Sequence, residues 1–426
     1  MMDGHALPHE DIMESLRPIL KRDQFERTLT PLRLFCHPFQ DLLTCAPRRA
    51  KQKGAIARGS LVPVWNWLSH TLIPADTSAY VSDVKTLLLK HQIEEAFARA
   101  ACYWPLAAAA ITAALDGEVS RKLAQKILGD AFAVDDACEM AVLLAAGEDI
   151  EKLSALLPRP VASLNETLLW EVRAVYDAVA ASHPDAAPYV AVVTMNRLAR
   201  PWEALRLPML VTRKIDETLI AKTDMGLVGE ILFDRMDTLK TSIEQTRHPL
   251  FSAEKLMEDV RAFADLSSHI VKEIELKRDG EWGKRLLGER VMIGKVMEGF
   301  MDRALREVTA ALPMQKSTGA DFSRPVGAEK HEMAVRYARL VAGSRNFAAA
   351  ASFAARQKGT YEDLCTALQR YNEDLVNGLK SADPVRADVA NAQFQLCAEL
   401  TSILFSEEEA ELLRRRGRAA QATAAA

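Results

Sequence analysis

Ten lysines and arginines fall between positions 17 and 58 against three aspartates and glutamates, in a chain whose formal net charge is -4. The densest group, Arg48, Arg49, Lys51 and Lys53 with Arg58, lies between Pro47 and Gly59. Prolines and glycines exclude long regular elements there. Cations on such a segment can adapt to phosphates, phospholipid headgroups or an acidic protein face, and Trp65 and Trp67 downstream add stacking or interfacial anchoring. The same cations also suit a solvated loop, or pairing with this chain's own Asp130, Asp135, Asp136 and Glu139. If the segment binds a partner, reversing Arg48, Arg49, Lys51 and Lys53 to Glu is expected to abolish capture and leave helicity and melting unchanged.

Other chemistries find no pattern. Cys36, His37 and Cys45 are neighbours, yet no second pair follows at zinc spacing, and neither His-Glu-x-x-His nor Cys-x-x-Cys occurs. No phosphate-binding glycine loop is present, and a helical chain offers no strand for one to follow. Gly-x-Ser-x-Gly is missing too. His91, between Lys90 and Gln92, reads as a solvated histidine on a helix. No catalytic, cofactor or metal residue is assigned, and the balance of these patterns is against an enzyme.

Two further basic groups have local explanations. Trp202, Leu205 and Met209 share one face of a helical stretch and Arg206 and Arg213 another, as in an ordinary amphipathic helix. Near the C-terminus, Arg414, Arg415, Arg416 and Arg418 follow Glu407 to Glu411, which places each sign at the favourable end of a helix dipole. Ser406 and Glu409 form a capping box for that helix.

The elements that must carry these residues are helices. Alanine makes up roughly 15% of the chain, far above its usual share, while glycine is scarce at 19 and aromatics are 6%. Alanine loses no side-chain entropy in a helix, and strands favour β-branched and aromatic residues. The fold class is therefore all-α: a multi-helix bundle, with helical pairs in the N-terminal half and longer up-and-down helices in the middle and C-terminal part. Residues 1–76 read as an irregular basic arm with short helices, one near Glu10 to Leu20, docked through Leu34, Phe35, Phe39, Leu42 and Leu43. An Ala-rich multi-helix domain follows over 77–215. It opens with a run from Asp76 or Thr77 to about Leu115 that Pro105 kinks or divides, and continues with helices near 118–128, 130–146, 148–157, 164–182, 186–199 and 201–212. A long-helix bundle covers 216–320, with helices near 216–245, 252–277 and 281–312. In the last of these, Leu287, Val291, Met297, Met301, Leu305, Val308 and Leu312, with Gly294 in the gap, form the expected inward stripe. The C-terminal domain, 321–426, holds helices near 328–341, 345–356, 360–381, 385–404 and 406–418, then a frayed tail.

The acidic, polar start lacks the apolar run of a signal peptide. No stretch reaches the about 18 apolar residues that cross a bilayer, and six scattered cysteines are not a disulfide framework. These features predict a soluble, cytoplasmic protein. The functional expectation is a helical interaction, scaffold or regulatory protein that binds a protein partner through Arg48, Arg49, Lys51, Lys53, Arg58, Trp65 and Trp67. The alternatives are nucleic-acid binding by the arm and the C-terminal arginines, or weak attachment to anionic membrane. A homodimer fits the striped helices as well as an internal bundle does.

Overall fold

In the computed structural model, which describes residues 29–45, 51–212, 217–246, 251–315, 319–380 and 387–425, the first helix starts as its sequence dictates. The Thr30 hydroxyl accepts from the Arg33 amide at 3.3 Å, and Pro31 at the first helical position gives up no hydrogen bond there. The helix expected near Glu10 to Leu20 lies outside the described residues, as do Arg48 and Arg49. By contacts the chain divides into two units, Met1–Lys214 with Leu219–Ile231, and Ile215–Thr218 with Leu232–Ala426.

The first unit contains α1 (Pro31–Cys36), a two-residue parallel pair of β1 (Leu43–Thr44) and β2 (Ile56–Ala57), α2 (Arg58–Trp67), α3 (Pro74–Leu89), α4 (Ile93–Ala114), α5 (Glu118–Leu128), α6 (Ala131–Ala145), α7 (Gly147–Leu156), α8 (Glu166–Ser182), α9 (Ala187–Arg197) and α10 (Arg206–Thr212). Helix α4 packs along α6, α3 along α4 and α8 along α9. Leu34, Phe35, Phe39 and Leu42 are buried, and the Trp104 indole donates to the Leu34 carbonyl at 3.0 Å. Tyr80 and Tyr103 stack at 4.2 Å. Asp41, on the 3-10 turn His37–Leu42, pairs with Arg159 and accepts from Arg197 Nε at 2.6 Å; Arg197 also donates to the carbonyls of Ser154 and Leu157. One guanidinium therefore ties that turn to α7 and α9.

Several expectations change here. The run from position 76 is two helices, because His91 stands at φ 57°, where a right-handed helix cannot continue. The first of the pair starts at Pro74, not at an Asp76 or Thr77 cap. Helix α4 passes unbroken through Pro105. A proline removes one main-chain bond, and buried Tyr103, Trp104, Ala107 and Ala108 on either side hold the helix together. The expected helix over 201–212 is a 3-10 turn, Pro201–Leu205, followed by α10.

The division between units falls across the short α11 (Glu217–Ile220) and across α12 (Leu227–Gln245), so the single helix expected over 216–245 is two. The second unit continues with α13 (Ala253–Glu273), α14 (Glu281–Ala310), an antiparallel pair of β3 (Met314–Gln315) and β4 (Gly319–Ala320), α15 (Ala328–Gly343), α16 (Ala354–Leu379), α17 (Ala387–Leu404) and α18 (Glu407–Ala425). Helix α14 packs on α15 and α16, and α16, α17 and α18 pack on one another. Its buried face runs Trp282, Leu286, Glu289, Ile293, Met297, Phe300, Ala304, Val308. The stripe read from the sequence is thus correct at Gly294, Met297, Met301 and Val308, while Leu305 is half-buried beside a core Ala304 and Leu287 and Val291 face outward. Residues 345–353 form turns rather than a helix, with Ser352 at φ 64°. A Cβ on Gly294 would come within 2.9 Å of the Ser352 carbonyl, so α14 needs glycine to pass that turn. Ser406 caps α18 by accepting from the Glu409 amide at 3.2 Å. Among the described residues no single helix is long and apolar enough to cross a membrane.

Candidate partner-binding surface

The basic segment splits into inward and outward parts. Lys51 is mostly buried, and its ammonium donates to Asp136 Oδ1 at 2.7 Å, Glu139 Oε2 at 2.6 Å and the Ala55 carbonyl at 2.8 Å. The remaining oxygens of both acids on α6 are also taken. Asp136 Oδ2 accepts from the Ala57 amide and the Ser60 hydroxyl, and Glu139 Oε1 from the Gly54 amide and the Tyr189 hydroxyl. Burial, with Glu139 beside it, pushes the Tyr189 hydroxyl far above its ordinary range, so it stays a donor. Gly54 reaches this cradle at φ 81°, and a Cβ there would meet Ile231 Cδ1 at 2.7 Å. Two buried carboxylates are tolerable only when paired and fully hydrogen-bonded, and here they are.

Lys51 therefore cannot serve an external anion, a correction to the sequence expectation. The fourfold reversal to Glu would break this network rather than leave melting unchanged. Trp67 is likewise a core residue at 4% exposure, closed to stacking by a ligand. Trp65 is half-buried among Phe35, Tyr80 and Tyr103, with ring centroids 5.2, 6.3 and 6.4 Å away. Of the described cations in the segment, Lys53 and Arg58 are exposed, and Arg58 begins α2.

The other local groups are built into the fold. His37 Nδ1 pairs with Glu151 at 2.5 Å, and its ring meets Phe97 edge-on. Burial pushes the Cys36 thiol up to about 12, so it is not a thiolate ligand at neutral pH. Glu203 is buried and accepts from the Leu164 amide at 2.6 Å, while Arg206 donates to the Leu164 carbonyl. Arg213 and Lys214 lie outside the described residues. Arg414, Arg415 and Arg418 pair with Glu407 or Glu411.

Among the described residues, the most exposed aliphatic row on one helix is on α5, which sequence reading passed over. This helix sits between two left-handed glycines, Gly117 (φ 80°) and Gly129 (φ 85°), the second closing the helix with its amide on the Gln125 carbonyl at 2.8 Å. Ala124 and Leu128 face the core. Val119, Leu123 and Ile127, at i, i+4 and i+8, are 83%, 60% and 48% exposed. Lys122 and Lys126 flank them at helical spacing, and Lys122 pairs with Glu118 on the surface at 2.7 Å. Helix α2 packs against α5 and exposes Val62, one turn after Arg58.

No family profile, curated protein or solved structure matches this chain.

Val119, Leu123, Ala124, Ile127 and Leu128 together span more than one helix face, which was the available signal. Sequence periodicity alone does not say which half of that wide stripe the core covers. An aliphatic row rimmed by cations has two uses: burial of about 1.5–3 kcal/mol per fully covered side chain, and selection of partners by charge.

Proposed function

We propose that this protein is a non-enzymatic helical interaction protein, and that the α2–α5 face holds a helix of a protein partner whose own apolar stripe is flanked by acidic residues. The observation that carries the reading is the exposed row Val119, Leu123 and Ile127 beside Lys122 and Lys126. A helix laid on such a row anchors at i, i+4 and i+8, and Lys122, Lys126, Arg121 and Arg58 favour glutamates and aspartates around it. A second copy of this chain is a poorer occupant, since it would bring the same cation-rich rim against itself. The arm keeps a part in this reading through Arg58 and Lys53, as cations that steer an acidic partner.

The test is affinity capture of the full-length protein from its own cells, with nuclease, comparing wild type with Leu123→Asp. A stoichiometric protein retained by wild type and lost with Leu123→Asp supports the reading. The same partner held equally by both would move the interface elsewhere. Recovery of nucleic acid, or of anionic lipid, in a Leu123-dependent manner would replace the protein partner by that class.

A further inference from the structure

Leu287 and Val291, which leave the inward stripe of α14, are 57% and 44% exposed, and Met292 beside them is 43% exposed. Gly288 shares their side of the helix, with open space where a side chain would stand, so another backbone can approach closely there. Further along α14 a groove of about 260 Å³ opens beside Gly299, which also has open space around it. Lys295 and Arg303 rim this groove, and buried Val296 and Phe300 line it. The N-terminal half of the helix therefore offers an aliphatic knob, Leu287, and the C-terminal half a hole. The charges are ordered in the same sense. Lys284 stands before the apolar residues and Glu298 after them, both exposed and neither in a salt bridge among the described residues.

We infer that the outer face of α14 is a homodimer interface, in which the helices of two copies pack antiparallel about a two-fold axis between Val291 and Met292. Antiparallel pairing sets the start of one helix against the end of the other. With the axis there, Val291 of each copy meets Met292 of the other, and Leu287 stands opposite Val296, at the groove, as a knob stands over a hole. A helical side chain leans toward the N-terminus of its own helix, which carries Leu287 toward Gly299 of the second copy. Lys284 falls within one residue of Glu298 at both ends, giving two symmetric ion pairs, and Lys295 faces Gly288. Glu281 comes opposite Asp302, whose charge is already met by Arg356, and one residue from Arg303. The α5 row has a cation-rich rim that rejects a second copy, whereas the α14 face carries both signs in the order that makes it its own complement. The face is short, so the dimer is weak and forms with rising concentration. This interface does not depend on the α2–α5 face.

The experiment is sedimentation equilibrium of the full-length protein over a wide range of concentration. The expected result is a reversible monomer–dimer equilibrium with no larger species, because a two-fold contact closes on itself. Val291→Asp should weaken the dimer by roughly tenfold or more, and Leu123→Asp, on the α5 row, should leave it unchanged. Lys284→Glu and Glu298→Lys should each weaken it severalfold by setting like charges together, and the double variant should restore it, since the exchanged pair is again complementary. All of these positions are exposed, and an unchanged melting midpoint identifies folded variants. A monomer at every concentration overturns the inference, as does a dimer that Val291→Asp leaves intact or that Leu123→Asp abolishes. So do single charge reversals without effect, or a double reversal that fails to restore the dimer, because the antiparallel pairing requires Lys284 to meet Glu298.

Discussion

The loop from Lys51 to Ser60 and the helix α5 belong to the same unit and make opposite use of their residues. The loop belongs to the most basic part of the N-terminal region, yet its central cation is buried against Asp136 and Glu139. Helix α5 is unremarkable in composition, yet it turns Val119, Leu123 and Ile127 toward solvent. Charge density marks where a chain places its electrostatic interactions, without saying whether the counter-charge is internal. Exposed aliphatic side chains have no such internal use, and so they are the better sign of an unoccupied contact.

Breaking the loop should have the largest effect. Lys51→Met leaves two buried carboxylates without their cation, which costs about 3–5 kcal/mol. Urea unfolding should show the midpoint falling accordingly, and a loss under about 1 kcal/mol would mean the network is not closed as described.

A buried carboxylate with a weaker counter-charge already exists elsewhere in the chain. Glu289 on α14 is buried, and neither of its oxygens accepts a hydrogen bond among the described residues. Arg285 Nε is 3.4 Å away, and its guanidinium is shared with Asp234 and Asp237. Burial first, and then the Asp237 charge, pushes the Glu289 carboxyl up to about 7. Because the folded pKa is raised, the folded state keeps a proton that the unfolded state loses above its ordinary value. Stability therefore falls as pH rises from near 4.5 toward 7 and then levels off. Glu289→Gln should remove that slope and stabilise the protein by about 2–3 kcal/mol at pH 8, with no gain at pH 4. Equal effects at both pH values would show that Glu289 is not the titrating group.

The remaining predictions concern binding, with little change in stability. Leu123→Asp, on the outer face of α5, should shift unfolding by less than about 0.5 kcal/mol while removing partner retention. Lys53→Glu with Arg58→Glu should leave unfolding equally unmoved and slow association severalfold, with the loss shrinking as salt rises. Stopped-flow association at two salt concentrations separates the two variants, and a larger effect from the cation pair than from Leu123→Asp would reverse their assigned roles.

How much of this was readable in advance follows from the range of the interactions involved. The all-α class came from alanine content and local propensity. Helix limits such as Glu118–Leu128 and Ala131–Ala145 came from glycines at 129 and 147, since caps and breakers act within one turn. The break at His91 was missed because a left-handed histidine is favoured only by the turn it completes. The register of α14 before Met297 was missed because Leu287 and Val291 suit either face until Trp282 and Leu286 take the core. For the site, Asp136 and Glu139 were among the internal acids considered for Lys51, but 85 and 88 residues separate them from it, and only the tertiary fold decides the pairing. The α5 row was hidden for the same reason, since Leu128 and Ile127 differ in what packs on them and not in kind.

The most direct measurement is site-specific photocrosslinking in the protein's own cells, with a photoreactive phenylalanine analogue placed at position 123 in one sample and at position 53 in another. The account predicts a discrete protein adduct from position 123, mapping to an acidic amphipathic helix of the partner, and little or none from position 53. An adduct from position 53 with none from position 123 would return the interaction to the basic segment and contradict the assignment of α5.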